Sequence, residues 1–256
     1  SLAAAVQAGA GRDTILVAAG DYLESGITVN SPAHIIGGWS PDFAIHDPDV
    51  HVTRLRGVTG TLRFSADAGD YCGVTGVTFH DCQGAIGAVP VNGQHGAAII
   101  SVEASPVITD CVFLENRADP GTGPGWGEAI LAHGGAPVIR DCEFRGNVGS
   151  LGGALALSEP AGALVEDTAF LANTTSDSTA AYAGGAIYVT GGEATLRRVQ
   201  VQANGSGRGG GLAVTGGAAV TAEDLALVAN RATGGGGGAH VSAGAAVELI
   251  GGEVVG

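Results

Sequence analysis

Short stretches in which apolar and polar residues alternate recur along the chain. Between them stand Gly, Asp, Asn and Pro, and no ten-residue helical pattern follows the opening segment. A longer period is laid over this alternation. Phe113/Asn116, Phe144/Asn147 and Phe170/Asn173 share the form Phe-x-x-Asn, while Val201/Asn204 and Leu227/Asn230 keep the Asn behind an aliphatic residue. Phe79 opens the series with Cys82 in the Asn place, and the anchors advance by 34, 31, 26, 31 and 26 residues. A second string advances in phase: Gly96-Ala97-Ala98-Ile99, Gly127-Glu128-Ala129-Ile130, Gly152-Gly153-Ala154-Leu155, Gly184-Gly185-Ala186-Ile187, Gly209-Gly210-Gly211-Leu212 and Gly237-Gly238-Ala239-His240. Each unit carries three short apolar stretches, so each is predicted to be one turn of a coil of parallel strands, an all-β solenoid.

Counting back from the Phe position fixes the grammar of a coil. Five residues before it stand Val74, Ile108, Ile139, Val165, Leu196 and Ala222, and three before it Gly76, Asp110, Asp141, Asp167, Arg198 and Asp224. Apolar and exposed positions alternate on either side of this Asp-marked bend, as half-buried strands require. Stacked about 4.8 Å apart, equal positions would form an internal aromatic and aliphatic column and an Asn ladder at a turn.

The chain reads as a single domain over residues 1–256. Residues 1–20 are a cap and first strand, with Ser1–Gly9 a short Ala-rich helix, Asp13–Val17 a strand and Gly20–Tyr22 a turn. Residues 21–71 are the first coils, and 72–256 are repeats that end within a coil. The helix protects one open edge from pairing with another chain. The far end has no such cap, and more chain or a partner is expected there. With Ser1 in place of a translation start, the chain reads as a processed form or a fragment.

Composition explains the coil rather than defining it. The sequence has 46 Gly and 43 Ala, which suits a narrow interior with Gly at the corners. Apolar residues make up 45% and charged residues 14%, which opposes disorder, and the glycines lack the three-residue period of collagen. The formal charge of −14, from 25 acidic residues against 11 Arg and no Lys, disfavours nucleic acid, anionic lipid and polyanionic sugars as partners. No apolar run is long enough to span a bilayer.

With these motifs the chain resembles the right-handed parallel β-helix, pectin-lyase-like proteins. Gly-Gly-Ala-[Ile/Leu/Val] paired with Phe-x-x-Asn is similar to the repeats of polymorphic outer-membrane proteins and autotransporter passengers, over about Val74 to Gly256. Gly37-Gly38-Trp39-Ser40-Pro41-Asp42-Phe43 and Asp47-Pro48 look like the first coils of secreted bacterial β-helices. The resemblance implies a secreted or cell-surface location and an adhesive or scaffolding role, and it carries no catalytic residues.

The candidate chemistry is sparse. Uronate lyases need basic residues that are scattered here, and no paired-carboxylate motif of a polygalacturonase is present. The alternative to a non-catalytic role is a carbohydrate-active enzyme or glycan-binding module around His95, Trp126, Tyr182, Tyr188 and Arg208, with Glu128 as its acid and His133 nearby. No cofactor is expected. The Asp column (Asp110, Asp141, Asp167) is the candidate Ca²⁺ site. The neighbouring column Thr109, Arg140, Glu166, Arg197 and Glu223 reads instead as inter-coil ion pairs. Cys111 with Cys142, in one column, and Cys72 with Cys82, in one coil, are expected to form disulfides of an exported protein. Finally, Ile99, Ile130, Leu155, Ile187 and Leu212 stand next to a second apolar column, Ile100, Leu131, Ala156, Tyr188, Ala213 and Val241. One of the two must face outward, so either another chain or a loop such as Asn173–Ala183 is expected to cover it.

Overall fold

The computed structural model describes residues 1–9, 13–57, 60–69, 71–84, 96–118, 127, 129–176 and 183–256. Among these, the strands stack into long parallel sheets, and the molecule is an all-β parallel β-helix with one short helix at its start. Sheet I has nine strands, from Asp13–Ala18 to Ala246–Ile250. Sheet II also has nine, from Gly20–Leu23 to Glu253–Val255, and sheet III has eight, from Ile27–Val29 to Ala239–Val241. A fourth sheet of six two-residue strands, from Gln83–Gly84 to Arg231–Ala232, joins sheet II to sheet III in the middle coils.

The register is the one the repeat predicts. Phe79, Phe113, Phe144, Phe170, Val201 and Leu227 pair in succession along sheet II, and all are buried. The four Phe rings stack face to face with centroids 5.1, 4.5 and 4.5 Å apart. Asn116, Asn147, Asn173, Asn204 and Asn230 form the expected ladder, in which each Nδ2 donates to the Oδ1 of the next Asn at 2.8–3.0 Å. Each backbone N–H donates to that same oxygen. Cys82 opens the ladder by donating its N–H to Asn116 Oδ1 at 3.0 Å.

The corners are made by residues in the left-handed region. Asp110, Asp141, Asp167 and Asp224 have φ of 57°, 53°, 47° and 53°, and Arg198 takes the same place at 51°. Asp tolerates this conformation better than most residues. A second left-handed position precedes the Asn column at Glu115, Gly146, Ala172, Ala203 and Ala229.

Helix Leu2–Ala8 closes the first coil. Leu2 and Val6 are buried against it, Ser1 Oγ accepts from Ala4 N–H, and Glu24 accepts from the N–H groups of Leu2 and Ala3 at 2.7 and 2.9 Å. Gly20–Leu23 differs from its reading as a turn: it is a strand, because Asp21, Tyr22 and Leu23 pair with Arg54, Leu55 and Arg56 of the next coil.

The last coil corrects the repeat by one residue. Ala239 pairs with Leu212 and His240 with Ala213, so the motif there begins at Gly236, whose φ of 67° matches 61° at Gly209. The run Gly234–Gly238 offers no side chain by which the sequence could fix that phase.

Candidate functional site

A groove of about 580 Å³ runs along the corner between sheets I and II. Its floor follows the coil: the bend residues Gly76, Asp110, Asp141, Asp167 and Arg198, then Cys111, Cys142 and Thr168, then Thr78, Val112, Glu143, Ala169 and Gln200. Pro48 and Asp49, from the loop after Trp39, close one end. Pro48 fits there because both corners beneath it are glycine: a Cβ on Gly38 or Gly76 would press on its ring at 2.8–3.0 Å.

Electrostatically the groove is graded. Asp110 and Asp141 are exposed and have no ion-pair partner among the described residues. At the other end Arg198 donates to Asp167 Oδ1 and Oδ2 at 2.7 and 2.6 Å and to Glu166 at 2.8 Å. Arg197 bridges Glu166 at 3.1 Å and Glu223 at 2.6 Å. Hydrogen bonds from Arg197 and Arg198 hold the Glu166 carboxyl below its usual range, and Arg198 does the same for Asp167. The predicted inter-coil ion pairs therefore form around Arg197. Arg140, the column's other cation, has no ion pair among the described residues.

This arrangement limits the chemistry. Asp110, Asp141 and Asp167 rise in one row on one wall, so they are not carboxylates facing each other across a bond. Among the described residues, no three His, Cys, Asp or Glu side chains converge on a point where a cation would sit, and the Asp column does not form a Ca²⁺ cage.

The sugar-binding constellation is brought together only in part. His95, Trp126, Glu128 and Tyr182 lie outside the described residues. Tyr188 is 9% exposed, and burial raises the pKa of its hydroxyl against a hydrogen bond with Thr190, so little of its ring remains for a sugar to stack on. Arg208 is exposed, and its carbonyl accepts from Gly184 N–H and Ser206 Oγ. His133 lies on the outer face of sheet III, with Nδ1 3.1 Å from Ser158 Oγ and Nε2 3.8 Å from Glu103. Glu103 reaches it across Gly134, where any Cβ would strike the Glu103 carboxylate.

The outward apolar column is covered by the chain itself. Leu131, Ala156, Tyr188 and Ala213 pack together with Leu151 and Ala183 against them. Leu151, Ala183 and Arg208 bridge one another in parallel, and the glycines that follow them lie on the column. A Cβ on Gly152 would meet Tyr188 Cβ at 3.1 Å, and one on Gly209 would meet Ala213 Cβ at 3.1 Å. The first Gly of each motif thus turns the chain back over the sheet, which residue spacing alone did not reveal.

The predicted disulfides are corrected. Cys72, Cys82, Cys111 and Cys142 are all buried thiols. On a parallel ladder the side chains of Cys111 and Cys142 point the same way. Each thiol turns to a carbonyl of its own coil, Cys111 to Thr109 O at 3.2 Å and Cys142 to Arg140 O at 3.1 Å. Cys72 and Cys82 occupy different corners, one before the sheet I strand and one after the sheet II strand, and the Cys82 thiol faces Leu55 O at 3.5 Å.

No helix among the described residues is long and apolar enough to cross a membrane. No protein-family model, curated protein or solved structure matches the chain.

Proposed function

We propose that the chain is a non-catalytic rod of an exported bacterial surface protein, of the polymorphic outer-membrane or autotransporter-passenger kind, acting as an adhesin, scaffold or part of a surface assembly. The observation that carries this reading is the uninterrupted repeat: among the described residues the Phe and Asn columns stack in register from coil to coil along long parallel sheets. Such a stack presents long repetitive faces suited to contact with another chain or a surface, and the motif resemblance supports a surface location.

Protease treatment of intact cells that produce the full-length protein tests this reading. The protein should be cleaved before the cells are lysed, as a surface-exposed rod would be. Protection until lysis would overturn it.

The corner groove favours a second reading, a glycan-binding module, because a row of unpaired carboxylates accepts hydrogen bonds from neutral sugar hydroxyls. Glycan-array binding that disappears in Asp110→Asn/Asp141→Asn would support it, and an empty array would leave the rod.

A further inference from the structure

The fourth sheet carries a notch that no residue pattern announced. Thr174, Gly205 and Arg231 stand in register on three successive coils, so a position without a side chain lies between a threonine and an arginine. The resulting concavity is about 430 Å³ and is also lined by Thr175, Ser206, Ala232 and Thr233.

Gly205 is not required by the backbone. Its φ is outside the left-handed region, and a Cβ built on it would come no closer than 3.7 Å to any atom, the nearest being Thr174 Cγ2. The motif glycines differ, since a Cβ on Gly153, Gly185 or Gly210 would run into carbonyl oxygens of the next coil. The space at Gly205 is therefore open, and a threonine methyl faces it.

A charge stands at its edge. Arg231 is exposed and, like Arg117, Arg140 and Arg208, has no carboxylate partner among the described residues. Segments 173–176, 204–208 and 230–234 contain Arg208 and Arg231 and no Asp or Glu, in a chain whose formal charge is −14. A solvated guanidinium beside hydroxyls and a methyl-lined space of this size matches a small ligand with an apolar body and one anionic group.

We propose that this notch binds a small organic carboxylate of about aromatic-ring size, with its body over Gly205 and its carboxylate on the Arg231 guanidinium. The site is independent of the rod reading, since it uses neither the Phe and Asn columns nor the corner groove.

Benzoate is the probe, with benzyl alcohol as its neutral counterpart and acetate as the anion without a body. Titration followed by amide chemical shifts should give benzoate a dissociation constant on the order of 1 mM, with shifts centred on Thr174, Gly205 and Thr233. Benzyl alcohol and acetate should each bind about tenfold more weakly. Arg231→Gln should bring benzoate down to the level of benzyl alcohol, and Gly205→Val, which fills the notch, should remove both. The proposal fails if benzoate does not saturate, if benzyl alcohol matches it, or if either variant binds benzoate like the parent. Gly205→Ala serves as a second, smaller filling, so that loss of fold in the valine variant cannot be mistaken for loss of the site.

Discussion

Asn116 and Asn147 are joined by two hydrogen bonds that end on one atom. Asn147 Oδ1 accepts from Asn116 Nδ2 at 2.9 Å and from Asn116 N–H at 3.0 Å. The Asn147 amide in turn donates to Asn173 Oδ1 at 2.8 Å and to Phe113 O at 3.0 Å. One side chain thus satisfies backbone and side-chain groups on two neighbouring coils, in a place with no access to water.

Asn147→Ala should therefore be far more costly than its lost volume suggests. It strands the Asn116 N–H, takes from the Asn116 Nδ2 one of its two acceptors and leaves Phe113 O short of a donor, so the loss should be at least about 2 kcal/mol. Asn147→Asp keeps the acceptor but loses the donor and buries a charge, so it should rescue little. Urea denaturation of the three proteins checks this, and an alanine variant within 1 kcal/mol of the parent would remove the ladder from the account of stability.

Two glycines should respond in opposite ways to the same added methyl group. At Gly153 a Cβ would strike Gly185 O and Thr174 O, so Gly153→Ala must push two coils apart and should lose about 2 kcal/mol or more. At Gly205 nothing is close and the φ is ordinary, so Gly205→Ala should be neutral or stabilising by up to about 1 kcal/mol. Thermal melts of the pair give the comparison, and equal effects would mean that close approach between coils does not explain the motif glycines.

The four cysteines should behave as buried thiols. Burial pushes the Cys82 thiol up to about 11 and raises that of Cys142 as well, with Cys111 beside it opposing a second charge. The folded protein should resist a maleimide or iodoacetamide at neutral pH. In denaturant without reductant, intact mass should show four added groups. Only two additions, or none until a reductant is present, would restore a disulfide.

Much of this fold could be read from the sequence because side-chain period and coil period leave separate marks. The Phe and Asn columns fixed the register of five coils through side chains that have only one place to go. Such marks are missing at Gly234–Gly238, and pairing with the next coil overrides the local turn signal at Gly20–Tyr22. The cover over Leu131, Ala156 and Tyr188 was open between two sources in the sequence, since it depends on the turn angle at Gly152 and Gly184 rather than on spacing. Of the sites, the Asp column was legible as a row. The groove it floors depends on Pro48 reaching a distant corner, and the notch depends on one glycine that packing does not require.

The charge network around Arg197 and Arg198 should make part of the stability pH-dependent in one direction. Glu166 and Asp167 have folded-state pKa values below their ordinary 4.5 and 3.8, and their arginine partners stay protonated throughout. A carboxylate whose pKa is lowered by folding contributes fully above its unfolded value and loses that contribution as pH falls through the folded one. Stability from this source should thus be level from neutral pH down to about 4.5 and decline below that. Because these groups lie at the surface, the effect should also shrink in molar salt. Replacing both arginines by glutamine should flatten the acid limb of a plot of melting temperature against pH, while changing the melting temperature at pH 3 less than at pH 7. An acid limb of the same depth in parent and variant would assign the loss to the other carboxylates of the chain.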